Sequence, residues 1–289
     1  SIVIMFSNIL IYFVVIPLIM LAGLALCRNI RQIRAVAVTG SLALTALSVW
    51  LLLDYLALRA AGETAPMLYT GSWSWFGPLN INLSVGVDGI SIAMLILSSI
   101  ILLTGSFASW KIEPHTKDFF LWLILLSTGV FGFFISIDLF TMFMFYEVAL
   151  IPMYLLIGVW GSGNKNYSAM KLTLMLMGGS AFLMLGLIGI YYHSAPAGQP
   201  LTWNILEIAQ NDAISHGWQT FLFPMTFVGF GVLGAMFPFH TWSPDGHASA
   251  PTAVSMLHAG VLMKLGGYGC FRVAIYLMPH AANELAWIF

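Results

Sequence analysis

The chain has 289 residues, of which 60% are hydrophobic and only 7% charged, and its mean hydropathy is +0.93; a soluble domain carries about 25% charged residues, so this is the composition of a membrane protein. Ten basic and eleven acidic residues leave a formal charge of -1, which provides no field for nucleic acid or an anionic surface and leaves the lipid bilayer and apolar neighbours as expected partners. The two cysteines, Cys27 and Cys270, lie in separate apolar segments with neither CxxC spacing nor a nearby histidine pair, which lends no support to a metal, iron–sulfur or dithiol site.

A hydrocarbon core ~30 Å thick needs roughly 20 apolar residues per helix. Such segments are expected near 2–26, 35–58, 88–110, 119–137, 139–160, 168–192, 218–249 and 252–278. They are apolar all round, without the period-two alternation of a barrel strand, so the expected fold class is all-α: a polytopic membrane helix bundle of about eight helices. No polar linker divides the chain, which reads as one domain, 1–289, with helices one to three in 1–118, helices four to eight in 119–278, and the start of a further segment in 279–289.

The first segment lacks a basic n-region and its first cations, Arg28, Arg31 and Arg34, follow it, so a cleaved signal peptide is not expected. Those arginines share alternate connections with Lys111, Lys117 and Lys165, while the opposite side holds Arg59 and, at a helix end, Arg272; that bias places the first loops inside and the N-terminus outside. The outer connection 59–87 holds "GSWSWFGP", with the tryptophans of an interfacial belt, and the outer connection 193–217 has acids but no lysine or arginine.

Glu147, in "FMFYEVALIPMY", lies about 12 Å from the outer end of the fifth segment. Lys171 falls near the inner end of the sixth, where an interfacial and a buried lysine fit equally well. The seventh segment is too long for one straight span and carries Gly229, Gly231, Gly234, Pro238, Pro244, Gly246 and Pro251. A broken helix is expected, and freed backbone groups at membrane depth call for a polar cavity, with a plain inner loop as the equal alternative. Lys264, in "HAGVLMKLGGYG", lies roughly 18 Å into the eighth segment, close to mid-membrane. Insertion of an ionised residue there costs ~2.5–3.5 kcal/mol, so Glu147 and Lys264 require partners, water or neutralisation. Either they form a static interhelical pair, which stabilises little, or they exchange protons. His258, six residues before Lys264, and His240 are further relay candidates, although a lone membrane histidine more often joins helices through a hydrogen bond. The spacing of His240, His247 and His258 does not put them on one metal.

One enzymatic pattern competes. "HTWSPD", His240 to Asp245, resembles the histidine–aspartate pair with which some membrane acyltransferases deprotonate a hydroxyl. It would leave Glu147 and Lys264 without a role.

The runs "FPFHTWSPDGHASAPTAVSMLHAGVLMKLGGYG" and "LFTMFMFYEVALIPMYLLIGVWG" closely resemble the antiporter-like membrane subunits of NADH–quinone oxidoreductase (respiratory complex I), nearest the M-type chains. The resemblance implies a discontinuous seventh helix, a glutamate on the fifth helix (Glu147), a lysine on the eighth (Lys264), and a lysine after the sixth-helix start "YSAMK" (Lys171). It also implies that NAD, FMN, iron–sulfur clusters and quinone belong to partner subunits, that L- and N-type chains are neighbours, and that the setting is a bacterial inner membrane. In many members a lysine precedes the break of the seventh helix; here Leu233 stands at that position. The family has about fourteen helices in two inverted repeats, so this sequence resembles the N-terminal part. The implied function is proton translocation along a hydrated axis. A cation/proton antiporter or membrane-bound hydrogenase subunit is the alternative, and a purely structural bundle the least demanding reading.

Overall fold

The computed structural model describes residues 2–289. A short helix α1 (Ile2–Phe6) leads into α2 (Tyr12–Leu26) and then α3 (Ile30–Ala60). Two strands follow, β1 (Leu68–Phe76) and β2 (Ile81–Val87), and then α4 (Gly89–Ala108), α5 (Thr116–Ile135), α6 (Leu139–Trp160), α7 (Lys165–Tyr192) and the short α8 (Ile205–Asn211). Next come α9 (His216–Leu233) and α10 (Trp242–Ser249), the two halves of a broken seventh helix. The eighth helix contains α11 (Thr252–Leu257) and α12 (Met263–Gly269), with a π-helical turn His258–Leu262 between them and a second, Cys270–Ile275, after α12; α13 (Pro279–Glu284) closes the chain. The structure thus has the expected helical architecture.

Among the described residues, six helices are long and apolar enough to cross a membrane: the segment Ile9–Leu26, then α3, α4, α5, α6 and α7. The seventh and eighth expected spans differ because their helices are interrupted. In the 59–87 connection, expected only as an interfacial loop, an antiparallel hairpin forms, Gly71 pairing with Val85 and Trp73 with Leu83. β-branched and aromatic residues alternate there with Ser and Gly, and Asn80 turns the chain with φ 52°, a left-handed conformation that Asn tolerates.

Helix starts follow from local capping. Asp88 accepts from Ser91 N at the start of α4, Asp138 from Thr141 N at α6, and Asn204 from Leu206 N at α8. Asn29 and Gln32 form a reciprocal capping box on α3.

The connections sort into two ends. At one, β2 bridges to Ser136 and Asp138 bridges to Asn204, while Asn8 Nδ2 donates to Tyr69 O at 2.7 Å. At the other, Arg34 donates to Trp110 O (2.7 Å), Lys117 to Ala25 O (2.7 Å), Trp160 to Pro114 O (2.6 Å), and Ser162 N to Ser249 O (2.9 Å). The connections bearing Arg28, Arg31, Arg34, Lys111, Lys117 and Lys165 therefore share one face, with Arg59 at the hairpin end.

Lipid offers no hydrophobic drive for helices to associate, so close packing holds the bundle. A Cβ at Gly129 would sit 2.6 Å from Ala149 N and 2.8 Å from Phe145 O, so α5 and α6 touch at backbone distance. At Gly266 of α12 a Cβ would meet backbone atoms of Phe230 and Gly234, where α9 ends. The most buried layer is α5, which keeps Phe119, Phe120, Phe131, Phe133 and Phe134 fully enclosed.

Candidate functional site

The site grows from α6, α7 and the two interrupted helices. Asp138 fixes the start of α6 by accepting from Thr141 N (3.1 Å) and from Asn82 N of the hairpin (3.3 Å). Burial pushes the Asp138 carboxyl up to about 6, against the pull of its Thr141 and Asn82 donors. Two turns further along α6, Glu147 is half-buried; its Oε1 is shut from solvent with no hydrogen-bond partner, and the Ser180 hydroxyl of α7 lies within its reach.

Lys171, two turns into α7, does not face Glu147. Its Nζ lies 2.7 Å from Asp245 Oδ2 of α10 and 5.7 Å from the Tyr167 ring. The break that positions Asp245 is a turn after Leu233 in which Ala235 takes a left-handed φ of 57°. It is closed from below by Trp242, whose indole Nε1 donates to Val232 O at 3.1 Å. That carbonyl also accepts from Ala235 N at 3.2 Å, so the indole adds a second bond that pins the turn to α9.

Behind Trp242 lies a histidine pair. His258 is 1% exposed and neither ring nitrogen has a protein partner. Its ring packs edge-on to Trp242 at 5.0 Å and to His247 at 4.6 Å. His247 is held by Ser255 Oγ at 3.1 Å and Met263 Sδ at 3.5 Å. Lys264 is near enough to act on His247 through its charge. Its Nζ donates to Ala259 O (2.9 Å), a carbonyl of the first π turn, and its side chain lines an open cavity of about 570 Å³ with Met94, Phe227, Met236 and Met263. π turns free such groups and recur at functional sites.

The structure therefore brings Lys171 to Asp245 and His258 to His247, whereas Lys264, expected deep in the bundle, is exposed at the open cavity with its Nζ on the Ala259 carbonyl. It does not pair Glu147 with Lys171 or with Lys264; the ion pairs among the described residues are others. Leu233 is fully packed at the last turn of α9, so no cation stands there. His240 leaves Nδ1 buried without a partner and stacks against Phe237 at 5.6 Å, while Asp245 gives its carboxylate to Lys171. The histidine–aspartate dyad of the acyltransferase pattern is therefore not assembled.

Among the described residues, no group of three His, Cys, Asp or Glu could hold a metal ion. The unpartnered buried polar atoms among them (Tyr146 Oη, Glu147 Oε1, Thr173 Oγ1, His240 Nδ1 and both nitrogens of His258) belong to α6, α7 and the two interrupted helices. A buried polar atom left unsatisfied costs about 1–3 kcal/mol, and ordered water is the usual remedy. The arrangement is suited to protonic exchange between a carboxylate, amines and imidazoles.

Sequence reasoning missed Asp245 as the partner of Lys171, and it missed His247 as a bridging group. The available signal was that Asp245 is the sole carboxylate in the seventh segment. Nor did it pair Arg272, whose Nη2 lies 2.7 Å from Asp88 Oδ1 with the guanidinium side chain only 10% exposed.

The family described as NADH:quinone oxidoreductase/Mrp antiporter, TM matches residues 136–289. The chain is 40% identical over 215 residues to NADH-quinone oxidoreductase subunit M of Rickettsia prowazekii, covering 74% of this chain and 43% of that protein. It is 38% identical to NAD(P)H-quinone oxidoreductase chain 4 3 of a Picosynechococcus species, covering 74% and 38%. The chain thus spans less than half the length of these curated relatives. Its fold is similar to a chain of respiratory complex I from Thermus thermophilus with bound NADH (TM-score 0.82, 21% identity, 96% of this chain and 55% of that one). It is equally similar to a chain of the membrane-bound sulfane sulfur reductase, an archaeal respiratory membrane complex (TM-score 0.81, 20% identity, 97% and 56%).

Proposed function

This multi-pass chain belongs to the NADH:quinone oxidoreductase/Mrp antiporter membrane family, and from that premise we propose that it is a proton-translocating part of an M-type subunit of a bacterial NADH–quinone oxidoreductase, seated in the inner membrane beside L- and N-type chains. The redox chemistry belongs to partner subunits that carry NAD, FMN, iron–sulfur clusters and quinone. This chain supplies the protonic part.

In this reading Lys171, held by Asp245 at the cation-bearing face, takes up protons from the inside. Glu147 receives charge signals from the neighbouring subunit side of α6. The imidazoles of His258 and His247, with His240 at the break, connect the inner half of the seventh helix to Lys264. With Leu233 in the place of a cation, Lys171 carries the positive charge that opposes Glu147, across more distance than a direct pair would have. Moving one charge across the membrane costs ~2.3 kcal/mol per 100 mV, which pKa changes of about two at each station can gate.

The observation that carries the proposal is the run of unpartnered buried polar atoms around the broken helix, since a merely structural bundle gains nothing by desolvating them. The test uses the full-length chain in its assembled complex within inverted membrane vesicles. Lys264→Ala is expected to lower proton uptake per NADH oxidised while uncoupled oxidation persists; unchanged uptake removes the proposal.

A further inference from the structure

The half-helix α10 lies antiparallel on α7, and the two touch along one stripe. Thr241 Oγ1 reaches Met175 Sδ (3.6 Å), Asp245 meets Lys171 (2.7 Å), a Cβ at Gly246 would sit 3.0 Å from Leu172, and Ser249 Oγ lies 2.8 Å from Ser168 Oγ. Each step of three or four residues along one helix is matched by such a step back along the other, the spacing that keeps one helix face in contact.

The half-helix is fastened at both ends. Ser168 and Ser249 are buried, and Ser249 O also accepts from Ser162 N at 2.9 Å. At the other end the enclosed Trp242 indole is bonded to Val232 O of α9, and between the two ends His247 is bonded to Ser255 of the eighth helix (3.1 Å). Ties to three different helices leave α10 little freedom to swing.

The Lys171 side chain is under no such restraint. It is part-exposed and its ammonium is bonded to one carboxylate oxygen, with the Tyr167 ring 5.7 Å away. Tyr167 stands one turn nearer the inner end of α7 on the same face, and is 62% exposed. The titratable groups that face the ammonium are Asp245 on α10 and Tyr167 on α7 itself.

A tyrosine that only marked the membrane interface would need no cation over its face. We propose that Tyr167 is a second seat for the Lys171 ammonium at the mouth of the site, and that protons are loaded by the lysine side chain turning between Tyr167 and Asp245 while α10 stays fixed. A ring face and a carboxylate both attract an ammonium, so the cation is held at either station. At the mouth, a hydronium ion of the inner water gives its proton to the neutral amine and leaves as water. The ammonium so formed rests on the Tyr167 ring and then turns to the Asp245 carboxylate. One N–H bond forms, one O–H bond of hydronium breaks, and no other reactant takes part.

This seat rests on the proton-loading role of Lys171, so the experiment separates the two. Protons moved per NADH oxidised are measured in inverted vesicles, on assembled complexes with the full-length chain, for Lys171→Ala, Tyr167→Leu, Tyr167→Phe and the double variant Ser168→Cys/Ser249→Cys, oxidised and reduced. Hydroxyls 2.8 Å apart place the two introduced thiols within reach of a disulfide. Tyr167→Leu is expected to pump about two- to fivefold less than wild type, the ratio that a ring face contributes to holding an exposed cation, with the deficit growing as the medium at the inner face is made more alkaline. Tyr167→Phe keeps the ring face and is expected to pump as wild type, and the disulfide to leave pumping unchanged.

Pumping lost in the oxidised double variant and regained on reduction shows that α10 must move, and overturns the proposal. A deficit in Tyr167→Phe as large as in Tyr167→Leu assigns the effect to the hydroxyl and overturns the cation seat. Full pumping by Tyr167→Leu beside a defective Lys171→Ala also overturns it and leaves the reading of Lys171 intact, whereas full pumping by Lys171→Ala removes both. Should the cysteine pair fail to assemble, Tyr167→Leu against Tyr167→Phe still decides, since both substitutions fall on an exposed side chain.

Discussion

The Lys171 ammonium and the Asp245 carboxylate meet at 2.7 Å, so the sixth helix is tied to the inner half of the seventh at the break, and the lysine is turned away from Glu147. The pair is part-exposed, 25% and 42% for the two side chains, and such pairs add little to stability. In the proposed relay its value lies in where it holds the Lys171 ammonium.

Asp245→Asn therefore should leave the subunit assembled, as seen on native gels, while lowering proton pumping per NADH. Pumping at the full wild-type ratio would reduce the pair to a structural contact.

Glu147→Gln keeps the shape of the side chain and its reach to Ser180 but removes the exchangeable charge. The expected outcome is an assembled complex whose uncoupled NADH oxidation persists and whose vesicles acidify far less. Normal acidification would favour a structural bundle over a relay.

Gly129→Ala inserts a methyl against the Ala149 nitrogen and Phe145 oxygen, backbone atoms that cannot yield as a side-chain tip would. Overpacking of this kind costs about 1–3 kcal/mol. A lower thermal midpoint for the variant complex is expected, whereas Gly178→Ala, which meets nothing within 4 Å, should be neutral. Equal behaviour of the two variants would refute the close α5–α6 approach.

Asp138 has a folded-state value near 6 against 3.8 unfolded, because burial penalises its charge. The neutral form is thus favoured by folding: its stabilisation is complete below about pH 4 and is lost as pH rises through 6, a swing on the order of 3 kcal/mol. Asn can still cap α6 through one oxygen. The thermal midpoint of the wild type should therefore fall relative to that of Asp138→Asn as pH rises from about 4.5 to about 7.5; a constant difference would show that Asp138 does not titrate there.

Residue order alone determined the membrane setting and the succession of apolar helices, and it placed Glu147 and Lys264 far along their segments and allowed a break in the seventh, because hydropathy, capping and glycine–proline content act within one helix turn or one segment. The alternate placement of cations fixed the two faces for the same reason, as each connection is read by itself. Only the tertiary structure decided the partners. Lys171 and Asp245 are 74 positions apart and Arg272 and Ser91 181 apart, and nothing periodic in the chain selects such pairs. The hairpin over 68–87 left a local trace, since Ile81, Leu83, Val85 and Val87 alternate with Asn82, Ser84 and Gly86, but its strand pairing and its contacts to Asn8 and Ser136 are tertiary. Packing at backbone distance between glycine-bearing helices sets which polar groups meet, and that is a property of the folded bundle rather than of any single stretch.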